Sequence, residues 1–120
     1  MVVRVTALSI PDALAARILA VEGEIDLATG AKLHDALHQM IRAGARQIIV
    51  DLRPATYVDS TALGICLNAQ NRLDALGGSL FMVAERPGLV RIIDRLGLRR
   101  VLPTFGRLST AIDELRTTAA

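Results

Sequence analysis

Apolar residues recur along this chain with two different periods. Leu33, Ala36, Leu37, Met40 and Ile41 fall at helical spacing on one face, and Gly44 follows as a C-terminal stop. Gln47 to Leu52 is instead a short continuous apolar run, as expected of a strand covered on both faces, and is predicted to be the central strand. A second helix carries Ala62, Cys66, Ala69, Leu73 and Leu76 on one stripe and ends at Gly77-Gly78. Ser79 to Ala84 repeats the buried-strand pattern. Pro87 then opens a helix whose inner face is expected to be Leu89, Ile92, Ile93 and Leu96, closed by Gly97.

The ends of the chain are less regular. Val2 to Leu8 reads as a strand, Pro11-Asp12 as a turn, and about Ala15 to Glu22 as a second strand, so a hairpin is predicted. Its alternation is imperfect and leaves the inward face open. Residues 53–57 read as a link, with Pro54 interrupting any ladder. Val101-Leu102 is expected to form a brief last strand before Pro103. Ser109 is expected to cap a final helix that buries Leu108, Ala111, Ile112 and Leu115, before a frayed tail at 117–120. The predicted order is β-β-α-β-α-β-α-β-α, an α/β fold with a mixed sheet in which right-handed parallel crossovers follow an antiparallel hairpin.

Composition narrows the picture. The 120 residues suit one domain, 1–120, able to bury a true core. Hydrophobic residues make up 52% of the chain, yet Tyr57, Phe81 and Phe105 are its only aromatics, which argues against stacking on bases. The net charge of +2 is small and the arginines are interspersed with acids, so no direct contact with nucleic acid is expected. Arg53, Arg72, Arg91 and Arg95 read as a scattered, solvated surface. Cys66, the single cysteine, suits a reducing compartment and reads as a core filler. Neither a leader segment nor a membrane span is visible, and a cytoplasmic protein is expected.

The chemistry concentrates in Val58-Asp59-Ser60-Thr61-Ala62-Leu63-Gly64, where a polar turn feeds a helix. Asp59 is suited to the N-cap, accepting from the first orphan amides, which presents Ser60 in the first turn. Ser60 could take the cap itself, which would leave Thr61 as the displayed hydroxyl. A second carboxylate, Asp26, stands after Gly23-Glu24-Ile25, just ahead of the first helix. Loops beyond the C-terminal ends of parallel strands are where function sits in such folds.

Taken together, Gly23-Glu24-Ile25-Asp26, the strand Ile48 to Leu52, the segment Tyr57 to Gly64 and Gly78-Ser79-Leu80 resemble the signature of the STAS family over nearly the whole chain. The pattern is most similar to that of the bacterial anti-sigma-factor antagonists. The resemblance implies a phosphoacceptor at Ser60, with Thr61 as the runner-up, and a partner-binding surface formed by Asp26, Asp59, Ser60 and Thr61. It further implies an anti-sigma factor that doubles as a serine kinase as partner, and a phosphatase that resets the modified form. Asp26 could orient the acceptor hydroxyl, contact the kinase or set its loop. Ala62 stands where the family more often has glycine; alanine favours the helix by about 1 kcal/mol, so a stiffer first turn is expected.

Other chemistries fit poorly. His34 and His38 have the spacing of two metal ligands on one helix, but no second ligand pair is visible and both read as surface histidines. Ser60 lacks the Gly-x-Ser-x-Gly elbow of a hydrolase, and no phosphate-binding loop occurs. No enzyme, cofactor or metal is expected. The remaining readings are a STAS accessory subunit of a membrane transporter or lipid-trafficking system, and a scaffold component of a stress-sensing complex; the oligomeric state stays open.

Overall fold

The computed structural model describes residues 4–11 and 13–119. Val2, Val3 and Asp12, assigned from sequence to the first strand and its turn, and Ala120 of the tail lie outside the described residues. The elements are β1 (Arg4–Ile10), β2 (Ala13–Ile25), α1 (Gly30–Arg42), β3 (Gln47–Asp51), β4 (Ala55–Val58), α2 (Ser60–Ala75), β5 (Ser79–Val83), α3 (Pro87–Arg95), a 3-10 turn (Leu98–Arg100), β6 (Thr104–Phe105) and α4 (Leu108–Ala119). The sheet runs β1-β2-β3-β5-β6, with β1 antiparallel to β2 and the others parallel. It is the mixed sheet expected, with β3 in the middle.

Both faces of the central strands β3 and β5 are covered, which explains their continuous apolar runs, while the edge strand β1 is largely exposed. Ile48 and Val50 of β3 join Leu19, Val21, Leu80 and Met82 beneath α1, α2 and Ile93 of α3. Ile49, between them, points to the other face with Ile18, Phe81 and Val83, where Ala111 and Leu115 of α4 cover it. Alternation fails in β2 for the same reason: Leu19 and Val21 serve one layer, Ala16 and Ile18 the other. Cys66 is fully buried in the larger layer, and burial pushes its thiol up to about 12, an inert filler as anticipated.

The structure departs from the sequence reading at several elements. The stretch read as a link contains a real strand, β4, which pairs in parallel with the end of β2: Gly23 with Ala55, Glu24 with Tyr57, Ile25 with Val58. Pro54 stands just before it and so removes no ladder donor. Gly23 sits at the register shift with φ +100°, a conformation glycine adopts without strain. The last strand lies at Thr104–Phe105, after Pro103 rather than before it; Pro103 supplies its carbonyl to Met82 N at 2.9 Å, a role that needs no N–H. Ser109 lies inside α4, which begins at Leu108, and Thr117 is still part of that helix. Leu76 caps α2 and is exposed, outside the buried stripe.

Gly78 marks a very tight backbone approach. A Cβ there would lie 2.0 Å from the Arg46 carbonyl oxygen, and the neighbouring Ser79 N donates to that same oxygen at 2.9 Å. Only glycine lets the turn after α2 press against the entry to β3.

Candidate functional site

The site is built where β2 and β4 end side by side. Because the two strands are parallel and in register at Ile25 and Val58, the residues that follow, Asp26 and Asp59, leave the sheet together. Asp59 N still donates to Ile25 O at 3.2 Å. Ser60 therefore follows β4, not the central strand directly. The corner that turns β3 into β4 is clamped by Arg53, whose Nε and Nη2 each lie 2.9 Å from the carboxylate oxygens of the buried Asp51. Arg53 is thus an anchored residue rather than one of a scattered surface set.

Asp59 takes the cap of α2. Its backbone is extended (φ −106°, ψ −175°) and its Oδ1 accepts from Thr61 N at 2.8 Å. Ser60 becomes the first helical residue and is exposed, whereas Thr61 is partly buried. The reason lies across the loop. Gly30, buried at the start of α1, faces Thr61 Cγ2 and Ile65 Cδ1, which a Cβ would meet at 3.2 and 3.0 Å. Thr61 is therefore turned against α1 while Ser60 faces outward.

Asp26 folds its own loop. Its Oδ1 accepts from Ala28 N and Thr29 N at 3.0 Å each, and the Thr29 hydroxyl lies 3.0 Å away, while also 2.6 Å from Glu24 O. These bonds, the Thr29 hydroxyl foremost, hold the Asp26 carboxyl below its ordinary value of 3.8. Of the three roles left open, loop-setting has geometric support here. The loop presents Leu27, 85% exposed, at its tip, and Tyr57 stands half-exposed at the end of β4. Leu27 was not singled out from sequence, and Tyr57 was named only as an aromatic and as the start of the signature segment; the signal available for Leu27 was an apolar residue at a polar turn, which pattern alone cannot distinguish from a core contact.

The two histidines are not both at the surface. His34 is exposed and its Nδ1 lies 3.2 Å from Asp35 Oδ1. His38, only 8% exposed, lies in the contact between α1 and α2, with its Nδ1 accepting from Arg72 Nη1 at 2.6 Å. Burial, then His34 and the Arg72 and Arg42 cations, keeps its pKa below the ordinary 6.5. Among the described residues no group of three or more His, Cys, Asp or Glu side chains could hold a metal ion. No described helix is long and apolar enough to cross a membrane.

A hydroxyl is thus displayed at a capped helix start, beside a second carboxylate-ordered turn, on a mixed α/β frame. The model of the STAS domain matches residues 6–111, and the chain belongs to that family. It is 25% identical over 99 residues to the anti-sigma F factor antagonist of Paenibacillus polymyxa, covering 82% of this chain and 85% of that one. Against the anti-sigma-B factor antagonist of Staphylococcus aureus it is 29% identical over 82 residues, 68% of this chain and 76% of the relative. The crystal structure of an anti-sigma factor antagonist from Mycobacterium paratuberculosis shares the fold with a TM-score of 0.86 at 22% identity, over 96% of this chain and 95% of that one.

Proposed function

We propose that this protein is an anti-sigma-factor antagonist that docks on an anti-sigma factor with serine-kinase activity and is released when Ser60 is phosphorylated. The observation that carries the reading is the position of Ser60: exposed at the first turn of α2, its hydroxyl relieved of the capping role because Asp59 accepts from Thr61 N, and beside the Asp26 loop. The names of the relatives supply the partner class. Unmodified, the protein holds the anti-sigma factor and frees the sigma factor; modified, it lets go, and a phosphatase restores it. The chain itself performs no chemistry, and ATP belongs to the kinase.

Magnitudes support a switch of this kind. A phosphoserine adds about −1.5 to −2 charges, which a helix N-terminus favours by at most about 2 kcal/mol while Asp59 and Asp26 oppose it. The fold has little reason to change. Forced into an interface without a cation, the same charge costs about 3–5 kcal/mol, roughly two to three and a half orders of magnitude in affinity. Incubation with the cognate kinase and ATP, followed by mapping of the modified residue, tests the reading. Phosphate is expected on Ser60, and its absence from both Ser60 and Thr61 sinks it.

A further inference from the structure

Helix α3 is where pattern and burial part company. Its period places Leu89, Ile92, Ile93 and Leu96 on one stripe, yet only Ile93 is buried; Ile92 is 42% exposed, Leu96 60%, and Val101 beyond the 3-10 turn 47%. Ile92 and Leu96 are one turn apart and make a single outward ridge. This corrects the inner face expected from sequence.

Two further features share that surface. A groove of about 340 Å³ runs between β4 and α3, with Tyr57 and Ile92 on its rim and Leu52, Ala55 and Leu89 among its lining. Arg86 lines it and ties α3 to β4 by donating from Nη1 to Thr56 O at 2.6 Å. The charge is also lopsided. Residues 86–107 hold six arginines against one carboxylate, Asp94, in a molecule whose net charge is only +2. Asp94 is already paired with Arg99, and among the described residues Arg91, Arg95 and Arg100 form no ion pair.

We infer that the Ile92–Leu96 ridge and the adjoining Tyr57 groove form a docking surface for a protein segment that combines aliphatic side chains with carboxylates. Resting on the function proposed above, that segment belongs to the partner whose grip Ser60 gates, since the groove is walled by β4, the strand that leads into Ser60. A concave groove takes side chains, whereas a bilayer meets only the convex ridge, so the concavity favours a protein partner over an anionic membrane. Apolar contacts would set the lifetime of the complex and the unpaired guanidinium groups its rate of formation.

Binding of the cognate anti-sigma factor is to be compared for the wild type, the double variant Ile92→Gln/Leu96→Gln and the double variant Arg91→Gln/Arg95→Gln. All four side chains are exposed, so melting curves should stay superimposable. The apolar pair should weaken affinity about tenfold or more, and the arginine pair should slow association and flatten its salt dependence. A wild type that binds while both variants bind equally well overturns the inference and leaves the proposed function standing. Should the wild type not bind the anti-sigma factor at all, titration with a synthetic helix of leucine and glutamate decides: amide shifts confined to Tyr57 and Gly88–Leu96 support the surface, and none there refutes it. Shifts produced by phosphatidylglycerol vesicles but not by that helix also refute it, and give the face to lipid.

Discussion

Asp59 and Ser60 divide two tasks that one polar residue could have combined. The carboxylate satisfies Thr61 N, so the serine hydroxyl makes no hydrogen bond among the described residues. Asp59→Ala should therefore cost about 1 kcal/mol, within the usual range for loss of an N-cap, and Asp59→Asn much less, as read from urea midpoints. Gly78 is a harsher case. Adding a methyl 2.0 Å from a backbone carbonyl cannot be relieved by a rotamer change, so Gly78→Ala should destabilise by about 3 kcal/mol or more, whereas Gly64→Ala, in open space inside α2, should stabilise by about 0.5–1 kcal/mol. Equal melting temperatures for the two alanine variants would contradict the close approach. The cap was legible because Asp-Ser-Thr before an apolar run is a local signal. The crowding at Gly78 was not, since Arg46 reaches it from the distant loop that leads into β3.

Among the elements, α1, β3 and β5 were plain in the sequence because period and burial agree there. Strand β4 was not. Ala55-Thr56-Tyr57-Val58 has the β-branched and aromatic content of a strand, but it is short, follows a proline and depends on pairing with residues some thirty positions earlier. That omission concealed why Asp26 and Ser60 are neighbours. Helix α3 shows the converse: an amphipathic pattern marks a face suited to burial and does not say whether the same chain covers it. His38 was misread because Arg72, its partner, lies 34 residues away on α2.

The α1–α2 contact should respond to pH. His34 and Arg42 approach His38 from α1, and Asn68 and Arg72 from α2, three of them basic. With its folded-state pKa held below 6.5, His38 is preferred neutral by the native protein. Its contribution is complete above the unfolded value and is lost as pH falls through 6.5 toward the folded value. The urea midpoint of the wild type should fall between about pH 7 and 5, and that of His38→Gln should fall less. Parallel profiles would remove His38 from the explanation.

At the scale of the whole molecule, the centre of the sheet is buried on both faces and the proposed switch sits beyond its end, where no core residue need move. Ser60→Glu should leave the melting temperature within a few degrees of the wild type, because an acid at a helix start is mildly favourable, about 0.3–1 kcal/mol. Binding to the anti-sigma factor should nonetheless weaken at least tenfold. A variant that binds normally would place the gating elsewhere, and one that unfolds would show that the turn is part of the core after all. The fold class could be inferred from sequence because nearly every strand and helix carries its own period. The way the loops converge could not, since convergence is a property of pairings.

The hold between β2 and β4 is three residue pairs long, Gly23 with Ala55, Glu24 with Tyr57, Ile25 with Val58. Such a short zipper works like a vernier: one extra residue inserted between Pro54 and Ala55 could slip it by a notch and leave both halves of the molecule folded. The two rims of the docking mouth would then stand out of step by the rise of one strand residue, about 3.3 Å. A stable, correctly compact insertion variant that has lost its partner is the expected outcome, measured by melting and by binding side by side.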